Sequence, residues 1–184
     1  ISNSKFVQEW VKETYDRDSV VVYPPVDFNF FNFESEKEDY YVTIGRLATI
    51  KRFDLIIKAF NENQKKLIII GDGEEADNLK SLANDNIQFL GFLESKEINH
   101  YIKKAKGFIQ MGIEGFGIAP LEAQYCGTPV IAYGEGALLE TVIENKTGVF
   151  FYHQTEDDLN KAIVRFEEQK FDYELIHLHA KQFS

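Results

Sequence analysis

The 184-residue chain has the size of one ordinary domain, and its 44% apolar and 27% charged content is that of a soluble globular protein. Acidic residues outnumber basic ones, 30 to 20, for a net charge of −10. With no basic stripe anywhere, this surface argues against nucleic-acid and anionic-lipid binding. The lone Cys126 excludes an internal disulfide and a thiolate metal cluster.

The first predicted element is an amphipathic helix over Ser4–Thr14, with Phe6, Val7, Trp10, Val11 and Tyr15 near helical spacing. A β-rich run, Val20–Tyr23, follows and is stopped by Pro24-Pro25. Residues Phe28–Glu38 mix aromatics with acids and read as an irregular loop. Then a rhythm begins. Strands are expected at Tyr40–Ile44, Lys66–Ile70, Ile87–Leu90, Gly107–Met111, Pro129–Ala132 and Gly148–Tyr152. Helices are expected between and after them, at Phe53–Asn61, Glu75–Ala83, Ser95–Ala105, Ile118–Tyr125, Leu138–Ile143 and Glu156–Glu168. Short, nearly unbroken apolar strands alternating with helices mean βαβ units. The expected fold class is therefore α/β, a doubly wound Rossmann-like parallel sheet; about six or seven strands are too few for an eight-stranded barrel. His177-x-His179, the one close histidine pair, reads as a solvated helix end. No apolar run of about 18 residues and no signal-peptide pattern is present, so the cytoplasm is the expected compartment. An isoleucine at position 1 suggests a piece of a longer protein.

In open parallel sheets ligands gather beyond the C-terminal strand ends. Four loops lie there. In the first, Gly45 is followed by Arg46, Lys51 and Arg52, cations suited to clamping a diphosphate, though a solvated basic turn explains them equally. Gly71-Asp72-Gly73-Glu74 lacks the third glycine of a dinucleotide loop and reads better as a tight turn into a helix. Gly91-Phe92-Leu93 offers backbone to a flat base edge, or is simply a turn. The fourth is Gly112–Glu122. Here Gly115 and Gly117 allow close backbone approach, and a helix starting at Ile118 directs free N–H groups at an anion. Glu114 and Glu122 flank that turn, and a carboxylate accepting two hydrogen bonds suits a vicinal diol such as ribose. A glutamate in a first helical turn is also ordinary dipole compensation, which accounts for either residue alone but less well for the whole arrangement.

The strand-end pieces also stand in a familiar order. Tyr23-Pro24-Pro25-Val26-Asp27, Gly45-Arg46-Leu47 with Lys51, Ile70-Gly71-Asp72-Gly73, Phe89-Leu90-Gly91, and Glu114-Gly115-Phe116-Gly117 with Glu122 come first. Gly127–Ala132, Glu140-Thr141-Val142 and Thr147-Gly148 complete the series. Over nearly its whole length the chain resembles the C-terminal, nucleotide-sugar-binding half of GT-B glycosyltransferases, in particular the family 4 retaining enzymes. The resemblance implies that Arg46 and Lys51 neutralise the donor diphosphate and that Glu122 holds the ribose. It implies that Glu114, with the backbone around Gly115, Phe116, Gly117 and Ile118, grips the transferred sugar beside Gly45. Gly91, Phe92 and Leu93 would line the base pocket. No bound metal or cofactor is implied. The partners implied are a nucleotide diphosphate sugar and an N-terminal acceptor domain, with peripheral membrane association of the full-length enzyme.

The run Lys51-Arg52-Phe53-Asp54, with Glu140-Thr141-Val142 and Gln154-Thr155, resembles a mannosyltransferase-like branch that builds cell-surface polysaccharide. GDP-mannose is then the favoured donor and a UDP-sugar the alternative. Arg52 stands where the family often has glycine. Residues 1–18 read as a connecting segment from an absent N-terminal domain and 19–184 as the donor domain, which by itself is expected to bind donor and transfer nothing. A GT-B-like sugar-nucleotide epimerase, a phosphorylase with lysine-bound pyridoxal phosphate, and a non-catalytic nucleotide-binding or docking module are the other readings. No sequence cue supports the pyridoxal lysine.

Overall fold

The computed structural model describes residues 1–184. Six parallel strands form one sheet: β1 (Tyr41–Ile44), β2 (Leu67–Ile70), β3 (Ile87–Gly91), β4 (Gly107–Gln110), β5 (Val130–Tyr133) and β6 (Gly148–Phe151). Their spatial order is β3-β2-β1-β4-β5-β6. The expected doubly wound fold is thus observed, with β1 central and registered through Tyr41 against Leu67 on one side and Gly107 on the other.

The helices are α1 (Lys5–Tyr15), α2 (Phe53–Asn63), α3 (Ala76–Leu82), α4 (Ser95–Ile102), α5 (Ile118–Tyr125), α6 (Leu138–Thr141), α7 (Glu156–Glu168) and α8 (Tyr173–Ala180). Alternate strand residues feed two separate cores. Tyr41, Ile69, Ile109, Ile131 and Val149 pack with α2, α3 and α7. Val42, Ile70, Phe108, Val130 and Phe150 pack on the other face, with Ile102, Ala123 and Leu138. Burial on both faces is why the inner strands read as nearly unbroken apolar runs, while edge strand β3 keeps an exposed Gln88.

Three expectations are corrected. Val20–Tyr23 is not a sheet strand: Val21 makes one isolated bridge to Ser2, and Val20 and Val22 stay exposed, because the prolines that follow end the pairing. The 173–180 segment, expected only as a solvated helix end at His177-x-His179, forms the helix α8, capped by Asp172 and packed on α5. Its histidines are not a solvated end. His177 Nδ1 meets the Tyr125 carbonyl and His179 Nε2 lies 3.0 Å from that of Thr141, so they fasten α8 to the domain.

The Phe28–Glu38 loop is irregular as expected but firmly anchored. Lys37 Nζ donates to the carbonyls of Lys103 (2.7 Å) and Cys126 (3.3 Å) and to Thr128 Oγ1 (3.0 Å). Lys37→Met removes all three bonds at a half-buried point, an expected loss of about 2 kcal/mol and a fall in Tm of about 4–8 °C, read by thermal unfolding.

Candidate functional site

Beside β1 the strand order reverses, the chain crossing one way to β2 and the other way to β4. The crevice beyond Ile44 and Gln110 is therefore where this topology places a ligand. A cavity of about 390 Å³ opens there, walled by Gly45, Arg46 and Lys51 from the β1 side and by Gln110 and Glu114–Pro120 from the β4 side.

Lys51 ends a single 3₁₀ turn, Thr49–Lys51, which aims its side chain across the crevice. Its Nζ lies 2.6 Å from Glu114 Oε1, and Gln110 Nε2 donates to the same oxygen at 2.9 Å. Gly112 makes this approach feasible: a Cβ there would come within 3.2 Å of the Lys51 Cα. Two residues read separately in the sequence, one as a phosphate cation and one as a sugar acceptor, thus form a single half-buried pair. The next residue, Arg52, has φ of 56°, the left-handed conformation that glycine adopts without penalty. That geometry explains why glycine suits the position. Here the guanidinium is held instead by Asp54 at 3.1 Å and Gln154 at 3.3 Å, and Gln154 Nε2 donates to the Met111 carbonyl.

Across the cavity, Gly117 precedes α5 with φ of 92°, and a Cβ on it would stand 2.7 Å from Leu138 Cδ2. Only glycine fits. None of the backbone N–H groups from Gly115 to Ala119 donates within the chain, so a row of free donors faces the crevice at the positive end of the α5 dipole. The Phe116 side chain itself turns inward, packing with Val26, Phe28 and Leu121 and stacking on Tyr23.

A second cavity, about 340 Å³, adjoins the first through shared walls at Ile44, Gly45 and Arg46. Phe92 and Leu93 line it, joined by Ile70, Gly71, Asp72 and Ile98. Gly91 does not line it; its carbonyl instead accepts the Gly71 N–H at 2.8 Å. Gly71, with φ of 135°, lies so close to β1 that a Cβ would fall 1.9 Å from the Gly45 carbonyl oxygen. Gly71→Ala is therefore expected to destabilise the domain by about 3 kcal/mol or more, measured by denaturant unfolding.

Arg46 is exposed and pairs with Glu74 at 3.1 Å. Glu122 lies outside both cavity walls, one turn deeper along α5. It has no hydrogen-bonding or ionic partner in the chain, and burial pushes its carboxyl up to about 7. Three further residues belong to the neighbourhood: Gln110, Glu74 and Asn3, the last on the wall of the first cavity. Gln110 had a signal, being the one polar side chain in an otherwise apolar strand. Asn3 had none, since it reaches the site only through tertiary packing. No group of three His, Cys, Asp or Glu side chains is arranged to hold a metal ion. No helix is long and apolar enough to cross a membrane. A larger cavity of about 510 Å³ beside α8 lies away from the strand ends and lacks this row of donors.

Comparison with known proteins gives the geometry its family. Residues 26–181 match the family model described as glycosyl transferases group 1. The chain belongs to that family. It is a family 4 glycosyltransferase domain with the fold of the C-terminal half of a GT-B enzyme, a class that uses nucleotide-sugar donors. An uncharacterised glycosyltransferase of Methanocaldococcus jannaschii is 28% identical over 140 residues, 71% of this chain and 36% of that protein. A Corynebacterium glutamicum enzyme, described as a GDP-mannose-dependent monoacylated alpha-(1-6)-phosphatidylinositol monomannoside mannosyltransferase, is 33% identical over 136 residues, 65% of this chain and 35% of the enzyme. Among solved structures, Anabaena HepE in complex with UDP and glucose superimposes with a TM-score of 0.82 at 22% identity, over 99% of this chain and 58% of HepE. This glycosyltransferase chain thus spans between about a third and just over half of the proteins it matches.

Proposed function

We propose that the two adjoining cavities hold a nucleoside diphosphate sugar and that the domain serves a retaining transfer of its sugar to a glycan or lipid-linked acceptor. The observation that carries this reading is the linear order of chemistries beyond β1 and β4. An apolar slot between Phe92 and Ile70 suits a base; Arg46, Lys51 and the free amides before α5 suit a diphosphate; Glu114 and Gln110 suit sugar hydroxyls. Glu122 is assigned to the ribose. Because Glu122 lines neither cavity, this reading has the ribose pass Ile118 to reach it.

The chemistry follows from charge. As the bond from the anomeric carbon to the diphosphate oxygen lengthens, negative charge grows on the leaving group, and Arg46, Lys51 and the α5 N-terminus are placed to stabilise it. The acceptor hydroxyl then attacks from the face the leaving group has vacated, passing its proton to the departing diphosphate oxygen, so configuration is retained. Glu114 holds Lys51 in place and offers its second oxygen to a sugar hydroxyl.

GDP-mannose is the favoured donor, supported by the Lys51–Asp54 and Gln154-Thr155 segments and by the named dependence of the Corynebacterium relative. UDP-sugars are the alternative. Residues 1–18 are proposed as the link to an acceptor-binding N-terminal domain and 19–184 as the donor domain, in an enzyme of cell-surface polysaccharide assembly that works at the inner face of the membrane. A panel of GDP, UDP and ADP with their sugar conjugates, titrated into this chain and into Glu122→Ala, tests the reading. Selective binding of one base, weakened by the substitution, supports it. Equal affinity in both proteins, or none in either, favours a docking module.

A further inference from the structure

The α1 helix buries no residue completely, yet its N-terminal end is tightly held. The Glu140 carboxylate accepts the backbone N–H groups of Lys5 and Phe6, one on each oxygen at 3.0 Å. Tyr23 Oη donates to the same carboxylate at 2.7 Å while its ring stacks on Phe116, between the two site glycines. Ser4, fully buried, caps the helix through the Val7 N–H. Ser2, also buried, is bridged to Val20 and Val22. Asn3 sits between these two fixed residues and is itself exposed, its amide making no hydrogen bond within the chain. That amide stands on the cavity wall, with Nδ2 3.7 Å from where a Gly115 Cβ would be.

The Asn3 backbone is fixed by Ser2 and Ser4, while its unpaired amide is free to meet a ligand in the cavity. It is neutral and both donates and accepts, which matches a hydroxyl better than a phosphate. It borders the Glu114–Gly117 turn and is absent from the wall of the base-sized cavity. Resting on the donor reading above, we infer that Asn3 is a specificity-determining residue that hydrogen-bonds a hydroxyl of the transferred sugar. Glu140 is its positioning residue, acting through the α1 N-terminus and touching no ligand.

The test is a titration of UDP, UDP-glucose, GDP and GDP-mannose into the full chain and into Asn3→Ala, Glu140→Ala, Glu140→Gln and Glu122→Ala. For whichever base binds, Asn3→Ala weakens the sugar conjugate by about three- to tenfold and leaves the bare diphosphate unchanged, with no shift in Tm. Glu140→Ala does the same at some cost in Tm, and Glu140→Gln, which keeps one acceptor oxygen, recovers part of the loss. Glu122→Ala weakens diphosphate and conjugate together. If Asn3→Ala leaves the conjugate's affinity unchanged, or lowers both ligands equally, this inference fails while the donor reading stands. If the unmodified chain binds none of the four, the donor reading fails and takes this inference with it.

Discussion

Lys51→Ala, made in an intact enzyme carrying this domain, is expected to lower the rate of sugar transfer on the order of 10²- to 10³-fold. The lysine is the one cation in direct contact with the group assigned to the sugar, at 2.6 Å from Glu114, and it faces the free amides before α5. In the proposed mechanism the charge grows only as the leaving group departs, so the loss belongs mainly in kcat. Stability changes far less, because Gln110 still donates to Glu114 and the pair retains access to water. Lys51→Arg keeps the charge but not the compact fit under Gly112, so it rescues only partly. Steady-state kinetics and thermal unfolding on the same preparations check this. An unchanged rate in Lys51→Ala removes the lysine from the mechanism.

The second large effect concerns Glu122 and carries a pH signature. Burial raises its folded-state pKa to about 7, above the ordinary carboxylate value. Between those two values the folded chain binds more protons than the unfolded one, so the ligand-free domain loses stability as pH rises through that window. Glu122→Gln removes this penalty and is expected to raise Tm at pH 8 while changing it little at pH 5. Donor affinity moves the opposite way. Ribose hydroxyls need an ionised acceptor, so affinity for a nucleotide sugar is expected to rise about tenfold from pH 6 to pH 8 and to level off above. In Glu122→Gln the affinity is weakened and its pH dependence is lost. Calorimetric titrations at several pH values, set beside melting curves, read both halves. A flat affinity profile in the unmodified chain contradicts the assignment.

Most of the fold was legible because the sheet is buried on both faces, which turns each strand into a short apolar run between turn residues. The errors lie where that logic lapses. Val20–Tyr23 has strand composition but no neighbour in the sheet, and α8 is short, with a sequence that does not set its packed face apart from its polar one. The location at the crevice of residues close in sequence to the strand ends, Arg46, Lys51, Glu114 and the glycines before α5, follows from the topology. Contacts made by long-range packing do not. Nothing local signals that Lys51 meets Glu114, that Glu74 pairs with Arg46, or that α1 brings Asn3 to the opposite wall. Gly91 and Glu122 show the converse, lying near the strand ends in sequence yet on neither cavity wall.

The central claim is that the crevice beyond β1 and β4 holds a nucleoside diphosphate sugar. Its most direct test is a titration of the ¹⁵N-labelled chain with GDP-mannose and with UDP-glucose, followed through the backbone amide resonances. The account predicts saturable shifts in one of the two titrations, largest for the free amides from Gly115 to Ala119 and accompanied by Gly45, Arg46, Phe92 and Leu93. No saturable shift with either ligand, or shifts confined to the cavity beside α8, would contradict it.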